Sequence, residues 1–147
     1  MNQQFESRAR PPKVLIVDDE RDIVEYLTAV LEDAGFRAAG LNGTEGALEW
    51  IESERPDAVL LDVMMPGHTG LSLYRAMREG AATREIPVVI ISGYARKEDV
   101  AARGLKGLES GNLPSPEGYL EKPISVPTLL TTLRRLLERH EIRSGTA

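Results

Sequence analysis

Three short apolar runs in this chain stop at residues able to do chemistry. Val14-Leu15-Ile16-Val17 ends at Asp18, Asp19 and Glu20, Ala58-Val59-Leu60-Leu61 ends at Asp62, and Val88-Val89-Ile90-Ile91 ends at Ser92. A fourth segment, Gly118-Tyr119-Leu120-Glu121, leads into Lys122-Pro123. If the four are parallel neighbours, Asp18, Asp19 and Asp62 crowd together at one sheet edge. Each like-charge pair at ~4 Å costs about 4 kcal/mol at an effective dielectric of roughly 20, against a whole-domain stability of ~5–15 kcal/mol. The cluster therefore needs a cation: Lys122, a divalent metal, or both. With no cysteine and no histidine cluster, oxygen-only ligands favour a hard ion, Mg²⁺ or Mn²⁺, over zinc. Mg²⁺ takes few carboxylates and keeps positions for water or phosphate oxygens. A carboxylate nucleophile, a divalent ion, a lysine and a hydroxyl are the parts needed to form an aspartyl phosphate. That reaction depends on positioning and on neutralising the equatorial oxygens. Singly, each residue has a plainer reading. Asp18-Asp19-Glu20 suits a helix start, Ser92 a turn, and Lys122 a solvated surface. Their joint placement at strand ends favours the site.

The elements that must position these residues follow from periodicity. All-apolar runs of this length suit strands buried on both faces, as in a parallel sheet. Between them, Ile23, Leu27, Val30, Leu31 and Ala34 recur at helical spacing from Asp22 to Ala34, with Gly35 as the stop. Phe36 to Gly40 reads as a short strand, and Asn42-Gly43-Thr44 as a turn and N-cap for a helix burying Ala47, Leu48 and Ile51. Trp50 is expected at the boundary of the core, and His68 at the surface. Leu71, Leu73, Tyr74 and Met77 mark a third helix ending near Gly80. Arg96 to Leu108 has helical character weakened by Gly104 and Gly107, and Ser110 to Pro116 reads as loop. Val126, Leu129, Leu130, Leu133, Leu136 and Leu137 then form an amphipathic last helix. The alternation predicts an α/β fold: a doubly wound, five-stranded parallel sheet with right-handed crossovers. Its ligands belong at the carboxyl ends of the strands.

At 147 residues, 41% hydrophobic and 28% charged, the chain is the size and composition of one globular domain. The expected layout is a flexible tail over 1–12, a domain over 13–140 and a second tail over 141–147. A net charge of -5 and a pI near 5.1 exclude the basic footprint of direct nucleic-acid binding. Neither a signal peptide nor a membrane-spanning run is legible, so a cytoplasmic protein is expected.

The motifs resemble those of the receiver domains of bacterial two-component response regulators. Val-Asp-Asp-Glu at 17–20, Leu-Leu-Asp-Val-Met-Met-Pro-Gly at 60–67, Ile-Ser-Gly at 91–93 and Tyr-Leu-Glu-Lys-Pro at 119–123 stand in the family's order and strand context. The resemblance implies a flavodoxin-like receiver fold and a stand-alone, phosphorylation-activated switch. On it, Asp62 is the phosphoacceptor, served by a histidine kinase or histidine phosphotransfer protein. Asp19 is a direct Mg²⁺ ligand, Asp18 a ligand partly through water, and the backbone carbonyl of Met64 a further ligand beside Asp62; Mn²⁺ can substitute. Lys122 pairs with a phosphoryl oxygen, and the Lys122-Pro123 bond is cis. Ser92 hydrogen-bonds the phosphoryl group while Tyr119 rotates inward, remaking the face of the family's fourth helix, fifth strand and fifth helix. A downstream protein binds that face, and the last helix offers a surface for a homodimer. The implied protein is not an enzyme beyond its own phosphoryl transfer and autodephosphorylation.

One departure falls between Ser92 and Lys122, where the segment is enlarged and a Gly-Asn-Leu-Pro-Ser-Pro loop, within residues 109–117, replaces the family's usual Gly-Ala. A role in a partner surface is expected of it. Three other functions compete. A receiver-like binding module that is not phosphorylated is disfavoured by the intact Asp18, Asp19, Asp62, Ser92 and Lys122 set. A phosphatase resembling the haloacid dehalogenase group needs a second Asp where Met64 stands. A flavin binder would set its phosphate against three acids. The residues outside the core are too few for a DNA-binding module, so output is expected through protein contacts or by passing the phosphoryl group onward.

Overall fold

The computed structural model describes residues 10–63, 70–93 and 114–143. In chain order they form β1 (Lys13–Val17), α1 (Arg21–Asp33), β2 (Arg37–Leu41), α2 (Ala47–Glu54), β3 (Ala58–Asp62), α3 (Leu71–Glu79), β4 (Val88–Ser92), β5 (Gly118–Glu121) and α4 (Val126–Arg143). The resemblance expects a fourth helix between Ser92 and Gly118, where residues 94–113 lie outside the described residues, and expects the last helix, α4, as the fifth. The expected 96–108 helix lies outside them too. The strands form one parallel sheet in the order β2-β1-β3-β4-β5. This is the doubly wound α/β architecture the alternation predicts.

Period-two alternation along each strand divides the core in two. Val14, Ile16, Ala58, Leu60, Val89 and Ile91 pack with α1 and α4, while Leu15, Val17, Val59, Leu61, Val88 and Ile90 pack with α2 and α3. Every residue of β3 and β4 is buried, which explains why both are continuously apolar up to their last residue. Trp50 is partly buried against the α2 and α3 side, at the boundary as expected.

Helix ends account for most differences from the sequence reading. α1 closes as predicted around Gly35, where the N–H of Phe36 donates to Leu31 O (3.0 Å) and that of Gly35 to Glu32 O (3.1 Å). The expected N-cap of α2 is wrong. Thr44 accepts only a turn bond from Ala47 N, and the helix begins after Gly46, whose φ of 74° reverses the chain in a region open to glycine at no steric cost. At the amino end, Pro12 is buried and its carbonyl accepts from Arg37 N (2.8 Å), so the sheet contacts reach into the segment read as a tail. At the other end, α4 continues past His140 to Arg143.

A polar clasp holds the amino edge of β4 and β5. The guanidinium of Arg78, in the last turn of α3, donates through Nη1 to Arg84 O (3.1 Å) and Ile86 O (2.8 Å), through Nη2 to Glu117 Oε1 (2.6 Å) and through Nε to Tyr74 Oη (3.2 Å). Glu117 Oε1 also accepts from Val88 N (2.7 Å), and the Tyr74 hydroxyl donates to Pro114 O. The far end of the enlarged segment is thereby tied to α3. Burial raises the Tyr74 pKa above the ordinary 10.0, with Arg78 opposing. Stability held by the neutral phenol is present below pH 10.0 and lost as pH rises through the raised folded value. In an absorbance titration of tyrosinate, the phenol missing from Tyr74→Phe is expected to be one that ionises above 10.0; its loss from the early part of the curve would contradict the clasp.

Candidate functional site

The carboxyl ends of β1, β3, β4 and β5 meet at one edge of the sheet. Asp18 follows β1 and is fully buried; its N–H donates to Leu41 O (3.1 Å), and its Oδ1 accepts the N–H of Glu20 (2.9 Å). Asp62 is the last residue of β3 and is 1% exposed. Ser92, buried, ends β4 one residue beyond the partner of Asp62 in the register. The carbonyl of Ser92 accepts the N–H of Lys122 (2.7 Å), carrying that lysine across from β5. The Lys122-Pro123 bond is cis. Tyr119 pairs with Ile90 and is half-buried against the α2 and α3 side of the core.

Lys122 Nζ is the hub. It lies 2.8 Å from Asp18 Oδ2, 2.7 Å from Glu20 Oε1 and 3.4 Å from Asp62 Oδ2. Burial pulls the ammonium's pKa down, but its contacts to Asp18, Glu20 and Asp62 outweigh this and raise it above 10.5. The lysine is therefore charged throughout the neutral range. Asp18 Oδ2 is buried with no aligned hydrogen bond, so its charge is balanced by the lysine at close range rather than by a directed donor.

Carboxylate oxygens of Asp18, Glu20 and Asp62 all lie within 4.8 Å of one another. One ammonium against three carboxylates leaves negative charge in excess, and the donors are all oxygen, which fits a hard divalent ion. Asp19 is exposed and is not one of the trio. Met64 lies outside the described residues. Glu20 is the site residue to which the sequence reading gave no role. Its place in the site comes from the bend at Asp19 after β1, where the N–H of Glu20 donates to Asp18 Oδ1 and the Glu20 carboxylate meets Lys122 from across the sheet.

Gly70, just before α3, lies close against the end of β3. Gly70 N donates to Val63 O (3.3 Å), and a Cβ at Gly70 would lie 3.0 Å from Leu61 Cδ1 and nearer still to the Asp62 carbonyl oxygen. The Pro-Gly-containing stretch that follows Asp62 thus has to end on a residue without a side chain. Such an edge can accept a phosphoryl group on Asp62, with a fixed ammonium beside it and a hydroxyl on the adjacent strand.

Comparison with known proteins identifies a family. The family model described as the response regulator receiver domain matches residues 14–134. The phosphate regulon transcriptional regulatory protein PhoB of Klebsiella pneumoniae is 32% identical over 127 residues, covering 86% of this chain and 52% of PhoB. The DNA-binding response regulator MtrA of Mycolicibacterium smegmatis is 35% identical over 129 residues, covering 88% of this chain and 52% of MtrA. The chain thus spans about half the length of these relatives. Among solved structures, the receiver domain of the Francisella response regulator 1452 superposes with a TM-score of 0.71 at 30% identity, over 87% of this chain and 98% of that one. The chemotaxis response regulator CheY4 of Vibrio cholerae gives 0.71 at 28%, over 86% and 98%. With that family model over residues 14–134 and relatives above 30% identity, this chain belongs to the response regulator receiver domains of two-component signalling.

Proposed function

We propose that Asp62 accepts a phosphoryl group from a histidine kinase or a histidine phosphotransfer protein, and that the protein is switched by it. The observation that carries this reading is Lys122 Nζ seated between Asp62 and Asp18 at the carboxyl edge of the sheet. In the transfer, a carboxylate oxygen of Asp62 forms a bond to phosphorus as the P–N bond to the donor imidazole breaks. The bonding pair stays on that nitrogen, which takes a proton from solvent. Lys122 neutralises one phosphoryl oxygen, and the Ser92 hydroxyl donates to another. The motion of Ser92 draws Tyr119 inward and alters the face of β5 and α4, where a downstream protein binds. Phosphorylation supplies the differential interaction that such a population shift needs.

The buried, unaligned Asp18 Oδ2 and the all-oxygen trio fit Mg²⁺ or Mn²⁺. Asp18, Asp62 and the Met64 carbonyl would hold the ion, with Asp19 joining by turning in from its exposed position. When bound, the ion supplies positive charge to the transferring phosphoryl oxygens. Cytoplasmic residence belongs to the same proposal. Among the described residues, no helix is long and apolar enough to cross a membrane.

Metal removal is the test. Incubation with acetyl phosphate and Mg²⁺ is expected to add one phosphoryl group by intact mass, and excess EDTA to cut the rate by at least about 100-fold, roughly 2.7 kcal/mol of barrier. A rate indifferent to EDTA would overturn the metal's part.

A further inference from the structure

Glu20 belongs to the carboxylate trio but takes no part in the proposed transfer step, yet it makes the shortest of the three contacts to Lys122, 2.7 Å against 2.8 Å to Asp18 and 3.4 Å to Asp62. The fold does not force this contact. The Glu20 side chain is 59% exposed, and Glu20 precedes α1 without making a side-chain capping bond. An exposed glutamate is thus spending its rotamer freedom on an ammonium whose own side chain is only 13% exposed.

A phosphoryl group on Asp62 needs that same ammonium. Lysine is a point charge on a flexible stem with three donors, and here three carboxylates surround it. Turning toward a phosphoryl oxygen means releasing one of them. Asp18 is fixed, being fully buried with its Oδ1 on Glu20 N, and Asp62 is the acceptor itself. Glu20 is the contact left to break.

We propose that Glu20 is a positioning residue that withholds Lys122 from the phosphoryl position. It holds the ammonium on the β1 side of Asp62 while the acceptor is empty, opposes its move to an incoming phosphoryl group, and so limits the rate with small acyl phosphate donors. The inference rests on the reading of Asp62 as acceptor. Because Glu20 also repels an anionic donor through its charge alone, Glu20→Asp, which keeps the charge and shortens the reach, separates holding from repulsion.

Two readouts on the full chain test it. Without metal or donor, proton exchange from the Lys122 ammonium, followed by NMR with lysine labelled at Nζ, is expected to speed up in Glu20→Gln and in Glu20→Asp. With acetyl phosphate and Mg²⁺, Glu20→Gln is expected to phosphorylate about five-fold faster than wild type, the upper range for losing an exposed ion pair. Glu20→Asp should recover most of that gain. Unchanged ammonium exchange, or a Glu20→Gln rate equal to or below wild type, overturns the proposal. A Glu20→Asp rate equal to wild type assigns the effect to repulsion and overturns holding. If wild type takes no phosphoryl group while the ammonium exchange does change, the acceptor reading fails and takes the rate claim with it, while the held lysine stands.

Discussion

Asp62→Asn is expected to take up no phosphoryl group from acetyl phosphate or from a phosphohistidine donor, while folding as well as wild type. The amide has nearly the shape of the carboxylate but lacks the nucleophilic charge. Its site is 1% exposed, so no solvent rearrangement restores what the substitution removes. Stability should not fall. Asp62 lies within 4.8 Å of two other carboxylates, and removing one charge from that trio relieves repulsion. The loss on the other side includes a 3.4 Å contact to a lysine that keeps Asp18 and Glu20. A urea midpoint equal to or above wild type is therefore expected beside an unmodified mass. A variant still gaining one phosphoryl group would place the acceptor elsewhere.

Arg78→Met should be the most destabilising of the changes considered, by about 3 kcal/mol in urea unfolding. Breaking a buried ion pair by removing one partner costs ~3–5 kcal/mol. The lower end applies because the Glu117 side chain is 32% exposed and can rehydrate, whereas the Arg78 side chain is 1% exposed. Two carbonyls, at Arg84 and Ile86, lose their donors at the same time. Arg78→Lys should recover only part of the loss, because an ammonium cannot span the fork that reaches Tyr74, Ile86 and Glu117 together. Both variants should still be phosphorylated per folded molecule, since the clasp holds the amino ends of β4 and β5 and Asp62 lies at the carboxyl end of β3. A loss below about 1 kcal/mol, within the range of an exposed pair, would show that the clasp does not hold.

The sheet was legible wherever burial on both faces left a continuous apolar run, as in β1, β3 and β4. Even alanine-rich β2 was found, by its place between two helical patterns. Asp18, Asp62 and Lys122, which the structure brings together, each stand at or just past the end of their own strand, and Ser92 ends the neighbouring one. What stayed hidden depends on backbone direction and distant partners. Thr44 has the side chain of an N-cap, but Gly46 sets where α2 begins. Glu20 was counted as an acid, yet its contact to Lys122 joins residues 102 apart in sequence. Arg78 is basic and sits in a helix's last turn, where solvation and the helix dipole explain it fully. Its burial depends on Glu117, 39 residues away. Tyr74 gave no hint that its hydroxyl meets Pro114, because an apolar helical face predicts the ring and not the partner of its oxygen.

The central claim, that Asp62 carries the phosphoryl group, is tested most directly by reducing the phosphorylated protein with borohydride, which converts an acyl phosphate of aspartate to homoserine. Peptide mass spectrometry then locates the change. Homoserine at position 62, and its absence when Mg²⁺ is chelated beforehand, is the predicted result. An intact aspartate at 62 in protein that has gained a phosphoryl group would contradict it.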